Sequence, residues 1–220
     1  MGIRMFRNET FLVLFTLFLA SGICTGQKTW WGEISGFAGG GSNDIFRFEE
    51  LVGSGSVNGK GYWTAGIDIS RLFGDHFSFE TGLSYSHQYY YTSPAPGIGG
   101  EDEHGSLSLL TAPFALRVDF LKWFFADAGA VFSLQPSLSA IDNMTGLGAT
   151  LGAGFQYRFK SDLFIRVRAY AAQYALLHLV PEDNPRTMWN SGVTLGVGYR
   201  FIRLGKCNCP DDNTPYRRFH

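Results

Sequence analysis

Beyond its first twenty residues the chain has no apolar run that could cross a bilayer as a helix, which takes about 20 consecutive apolar residues. It is also poor in charge. Asp, Glu, Lys and Arg make up 17 % of its 220 residues, against ~25 % in an ordinary soluble domain. The formal net charge is −1, so no basic field points to nucleic acid. There is no P-loop, no dinucleotide fingerprint and no HExxH pattern. No cofactor is implied. Cysteine is scarce, with three in all. Cys207 and Cys209 are separated by one residue, a cramped geometry for a disulfide between them. With His220 as the other nearby ligand, they fall short of the four that structural zinc takes.

What is abundant is aromatic and small. Phe, Trp and Tyr reach 16 %, with 20 Phe and 10 Tyr, and there are 28 Gly. That mixture suits a sheet that meets lipid on one face and a crowded polar lumen on the other. The first segment is of another kind. Arg4 and Arg7 precede the apolar run from Phe11 to Ala20, and small residues follow it at Ser21, Gly22, Thr25 and Gly26. This is the layout of a secretory signal peptide. Cleavage is expected after Gly26, so that residues 1–26 are removed, with cleavage after Gly22 as the alternative. Ile23 precedes Cys24 where a lipidation signal carries a small residue, which argues against acylation. Losing Arg4, Arg7 and Glu9 leaves the mature chain at about −2.

The remainder alternates with period two. Leu147, Ala149, Leu151, Ala153, Phe155, Tyr157 and Phe159 share one face; Gly148, Thr150, Gly152, Gly154, Gln156 and Arg158 share the other. The same split runs through Trp63 to Ile69, Phe77 to Tyr85, Leu110 to Phe120, Leu163 to Ala171 and Val193 to Phe201. Strict alternation puts each set on one side of a strand. Noisier runs at 29–39 and 124–134 bring the count to eight strands, over 29–39, 61–72, 77–91, 106–120, 124–134, 146–159, 163–175 and 188–202. Most reach the ~9–11 residues that a tilted spanning strand needs.

The connections alternate in length. Those at 40–60, 92–105, 135–145 and 176–187 are long and rich in Gly, Ser, Pro, Asn and Asp; those at 73–76, 121–123 and 160–162 are short. Tight turns at one end and long loops at the other are the mark of a membrane barrel, with the tight turns in the periplasm. The reading is an all-β, eight-stranded antiparallel up-and-down transmembrane β-barrel over residues 27–202, with a periplasmic tail at 203–220. A soluble sandwich or lipocalin-like barrel would instead turn Leu151, Phe155, Leu195 and Val197 inward.

Two blocks carry a family resemblance: GVTLGVGYRF (Gly192 to Phe201) and PFALRVDFLKWFFADAGAVFSL (Pro113 to Leu134). They resemble the small, porin-like outer-membrane β-barrel domain family of Gram-negative bacteria, particularly its Bacteroidota-type members. The resemblance implies a place in the outer membrane, contact with its lipid, and insertion by the barrel-assembly machinery through Gly192 to Phe201. That terminal signal normally ends a chain, whereas here 19 residues follow Phe201.

The lumen register holds Glu33, Asp68, Glu80, Arg117, Asp119, Asp127, Gln156, Arg166 and Arg168. Lone buried charges are costly, and an eight-stranded barrel is just filled by side chains. The expectation is an ion network that plugs the lumen, with Glu80 sharing it with Arg166 or Arg168; the rival is a narrow solute or ion path. His104-Gly105-Ser106 has the His-x-Ser spacing of barrel deacylases, near Glu101, Asp102 and Glu103, but lacks that family's surrounding residues. It reads as a solvated loop, and no catalytic residue is assigned. His87, among Tyr89, Tyr90 and Tyr91, reads as part of an upper aromatic girdle. An extracellular partner, if there is one, would meet loops 40–60 and 92–105.

Overall fold

The computed structural model describes residues 30–46, 56–73, 76–94, 101–136, 143–179 and 186–203. The signal segment and the tail with Cys207 and Cys209 lie outside the described residues. The chain divides into two units, Trp31–Ile202 and the two chain ends. The first unit is a barrel. Its strands are β1 (Trp30–Phe46), β2 (Ser56–Phe73), β3 (Phe77–Ser93), β4 (Glu103–Phe120), β5 (Phe124–Leu134), β6 (Gly146–Arg158), β7 (Leu163–His178) and β8 (Thr187–Arg203). Each pairs antiparallel with the next, and the ring closes in the order β1 to β8.

The faces follow the alternation. Leu151 is 63 % exposed, Leu195 and Val197 each 57 %, and Phe155 is half-buried on the same register. The inward positions beside them are buried: Thr150, Gln156 and Thr194. An apolar band outside and polar groups inside is the inverse of a water-soluble barrel. Among the described residues no helix is long and apolar enough to cross a membrane; the strands provide the crossing.

The short turns lie at one end. Leu121 in the β4–β5 turn has φ 56° and Asp162 in the β6–β7 turn has φ 61°. A reversal this tight needs a left-handed residue, and Leu there carries a steric cost. The turns are tied by Asp119 N–H to His76 O at 2.7 Å, Gln156 N–H to Trp123 O at 2.8 Å and Arg200 N–H to Asp162 O at 2.9 Å.

The long-loop end differs from the sequence expectation. β1 continues to Phe46 and β2 begins at Ser56, so the connection expected over 40–60 is reduced to 47–55, outside the described residues. The loop expected over 92–105 loses residues to both of its strands, and β7 runs on to His178. Gly, Ser and Asn in these stretches read as loop. Cross-strand pairing overrides that weak local preference once the neighbouring strand continues.

Two bulges accompany the longer strands. One sits between Gly59 and Gly61 of β2. Gly61 has φ 127°, open to glycine but strained for other residues. Asn43 clamps this bulge from β1: its Oδ1 accepts Gly61 N–H at 2.6 Å and its Nδ2 donates to Tyr89 O at 3.1 Å. The other lies where Leu147 and Ala149 of β6 oppose Leu177 and Gln173 of β7, with Ala175 at φ 53°.

Candidate functional site

The charged residues meet in the inner half of the lumen, near the short turns. Register brings them there. Arg117 of β4 stands opposite Asp127 of β5, Gly154 of β6 opposite Arg168 of β7, and Gln156 opposite Arg166. Glu33 of β1 is the hub and is almost wholly buried. Its carboxylate accepts from Arg200 Nε at 3.0 Å and lies 3.1 Å from Arg158 Nη2. Arg117 Nη1 and Arg166 Nη2 approach it at 3.8 Å. Gln156 relays between two members: Arg166 Nε donates to its Oε1 at 3.2 Å, and its Nε2 donates to Glu33 Oε2 at 3.3 Å.

The other carboxylates are shared out. Glu80 accepts from Arg166 Nη1 at 2.8 Å, and Asp68 lies 3.7 Å from the same nitrogen. Asp119 takes both Nε (3.0 Å) and Nη2 (2.6 Å) of Arg117. Arg168 grips Asp127 with its Nε at 2.9 Å and its Nη2. Arg117, Arg158, Arg166, Arg168 and Arg200 thus stand against Glu33, Asp68, Glu80, Asp119 and Asp127, and the formal charges balance. Fork-shaped guanidinium groups suit such two-point contacts better than lysine would.

Aromatic rings support the cations. The Arg117 guanidinium lies 4.1 Å from the centroid of Phe125, that of Arg166 5.4 Å from Phe164, and that of Arg168 5.3 Å from Tyr170. Phe125 and Phe164 are fully buried. Gly152 makes room for the Arg168–Asp127 pair. A Cβ there would come 2.7 Å from Arg168 Nε and 2.8 Å from Asp127 Oδ2.

Sequence reasoning left Arg158 and Arg200 out of the network, although both sit on the inward register. Both lie at strand ends, and both reach back to Glu33. It also left out the aromatic supports, because a phenylalanine in a membrane strand reads as lipid-facing.

The outer half of the lumen has a different filling. Ile45, Val57, Tyr90, Leu107, Leu109, Val131, Met144, Tyr174 and Met188 form one buried apolar cluster. Leu109, Met144 and Met188 have no exposed surface. Between the two halves lies a cavity of about 40 Å³. The hydroxyl residues Thr64, Ser84, Thr111, Thr150 and Thr194 line it, together with Asp68, Arg168, Tyr170 and Tyr174. Ser84 and Thr111, partners on neighbouring strands, bond along its wall at 2.6 Å.

The outer surface carries rings at both rims. Trp63, Tyr85, Tyr89 and Trp189 are exposed toward the long-loop end; Trp123, Tyr157, Phe159, Tyr199 and Phe201 are exposed toward the short turns. His87 packs edge-on to Tyr89 at 4.9 Å and bonds Ser108 at 3.1 Å through Nδ1. His104 and Ser106 are both exposed, and His104 meets Tyr91 ring to ring at 6.4 Å. Among the described residues no hydrogen bond joins His104 to Ser106 or to a carboxylate.

Eight strands closed in a ring, a lipid-facing apolar band, aromatic rims and a charged interior define a transmembrane β-barrel of the Gram-negative outer membrane. The chain belongs to the outer membrane protein beta-barrel domain family, whose model matches residues 15–201. Among solved structures it is similar to the outer membrane protein OprG from Pseudomonas aeruginosa. The TM-score is 0.54 at 13 % identity, covering 80 % of this chain and 97 % of that one. Lower scores relate it to the outer membrane protein AlkL in lipid bilayers (0.47, 9 % identity, 85 % and 96 % covered). They also relate it to Ail, the attachment invasion locus protein of Yersinia pestis, in complex with the heparin analogue sucrose octasulfate (0.39, 15 % identity, 77 % and 99 % covered). The likeness to OprG speaks for the fold alone. No curated protein matches the chain.

Proposed function

We propose that this protein is a structural or interaction barrel with a closed lumen, exported on residues 1–26 and presenting its outer connections to the cell exterior. The reading rests on one observation. Arg117 and Arg166 reach from β4 and β7 across the bore to carboxylates on β1, β2 and β3. Side chains that pair across the bore occupy the space a solute would need, and separating them strands charge in a low-dielectric interior. The ring has no free edge, so any partner is met outside the membrane, at the connections between β1 and β2 and between β3 and β4. Insertion would use the alternating last strand, Gly192 to Phe201, read by the assembly machinery.

The test is electrical. Refolded protein, checked for heat-modifiable migration on gels, is added to a planar bilayer. No conductance above the bare membrane is expected; stable unitary steps from the unaltered protein would defeat the closed-lumen reading and favour a narrow channel.

A further inference from the structure

The ion network and the apolar cluster lie in series along one bore, and they are unequal as barriers. Solvent already touches the network from the short-turn end: the side chains of Arg158, Asp119 and Arg200 are 37 %, 21 % and 16 % exposed. Arg117 Nη1 has no hydrogen bond and lies 3.8 Å from both Glu33 and Glu80. That leaves it two alternative carboxylates. The network is therefore polar, solvent-exposed at its short-turn edge, and holds a cationic nitrogen that no hydrogen bond fixes to one carboxylate.

The outer cluster offers an ion no charged side chain; the polar groups buried at its level, Ser86, Gln88, Thr187 and Asn190, are neutral. Leu107, Leu109, Met144 and Met188 are 0–1 % exposed, and Val131 3 %. Ser133, which lies between them in sequence and level, spends its hydroxyl on Met144 O at 2.7 Å. A hydrated ion entering this layer would lose its water with no charged partner in return, a cost of several kcal/mol even after relaxation. The hydroxyl-lined cavity, with Asp68 and Arg168 in its wall, marks where the charged lining ends, beneath Tyr174.

We infer that the tighter barrier of the closed barrel is this apolar layer of Leu107, Leu109, Val131, Met144 and Met188, and that the ion network below it, although it fills the bore, is the weaker of the two. The inference rests on the closed-lumen reading and assigns the closure to particular residues.

Two kinds of variant separate the layers. Leu107→Ala with Leu109→Ala, and separately Met188→Ala, thin the apolar layer and leave every charge in place. Glu80→Gln with Arg166→Gln removes a facing pair of the network and leaves the layer intact. Each protein is refolded, checked for heat-modifiable migration, and added to planar bilayers beside the unaltered chain. The apolar-layer variants are expected to give conductance steps, and the charge-pair variant is expected to stay as silent as the parent. Conductance from the charge-pair variant, or silence from folded apolar-layer variants, overturns the inference while leaving the closed lumen standing. Conductance from the unaltered protein instead defeats the closed-lumen reading.

Discussion

Both halves of the lumen are walled by the same eight strands, yet they are filled on opposite principles. The inner half is held by charge. Glu33 serves Arg117, Arg158, Arg166 and Arg200, and the set is neutral only as a whole. The outer half is held by volume. Leu107, Leu109, Val131 and Met188 touch one another and carry no charge to balance. A lesion in the first leaves like charges facing each other, whereas a lesion in the second leaves a hole. The two should therefore differ in size, in reach and in their response to salt.

The largest effect is expected at the hub. Glu33→Ala takes the shared carboxylate from four arginines, and breaking a buried ion cluster on one side costs about 3–5 kcal/mol. Urea unfolding in lipid vesicles, followed by tryptophan fluorescence, measures it. Glu33→Gln keeps the hydrogen-bonding shape and should lose less. Raised salt should recover part of the loss, since screening acts on arginines that solvent reaches. A loss below about 1 kcal/mol would show that the arginines need no hub.

Leu109→Ala comes next, at about 2–4 kcal/mol, the range for emptying a packed apolar site. Here salt should make no difference. If salt rescued Leu109→Ala as well as Glu33→Ala, the division of the lumen into a charged and a dry half would not hold.

These expectations show what was legible in the sequence. The charged half was, because Glu80, Arg117 and Arg166 interrupt otherwise apolar or small alternation. The fold was, because lipid enforces the alternation over ten or more residues per strand. The dry half was not. Leu107 and Leu109 are on the inward register of β4, as their burial shows, but an inward leucine looks like an outward one when polarity is used to tell the faces apart. The bulge at Gly59–Gly61 also shifts the parity of β2 near the outer end, so counting by twos from the membrane fails there, and the one opposite Gly148 puts two extra residues into β7. Arg158 and Arg200 were missed for a related reason. Arginine stems are long enough to return from a strand end to the bore, and spacing alone carries no sign of that.

A smaller effect is expected where a glycine serves the charged half. Gly152→Ala would press a methyl against the Arg168–Asp127 pair at 2.7–2.8 Å. Overpacking of this kind costs about 1–3 kcal/mol. The arginine can move its far end, so the lower part of the range is expected, read as a reduced urea midpoint. Gly148→Ala, which would press on the backbone of β7 instead, serves as the comparison. It should cost more, because backbone cannot step aside.

The smallest effect tests whether the two halves are joined. Tyr62 donates its hydroxyl to the Tyr170 hydroxyl at 2.7 Å, with the rings edge-on at 6.5 Å. The Tyr170 ring in turn lies 5.3 Å from the guanidinium of Arg168, which holds Asp127. This is a continuous path from the level of the cavity down into the network. Tyr62→Phe removes a single neutral hydrogen bond and should cost about 0.5–1.5 kcal/mol. Size alone says little, so the informative quantity is coupling. In a double-mutant cycle with Asp127→Asn, a coupling above about 0.5 kcal/mol would mean that the tyrosine pair and the ion pair act as one unit. Additive losses would mean that the hydroxyl-lined level insulates the charged half from the dry one. Additivity is the expected outcome, because among the described residues the tyrosines meet the network through a ring face and not a hydrogen bond. Each half then keeps its own response to salt.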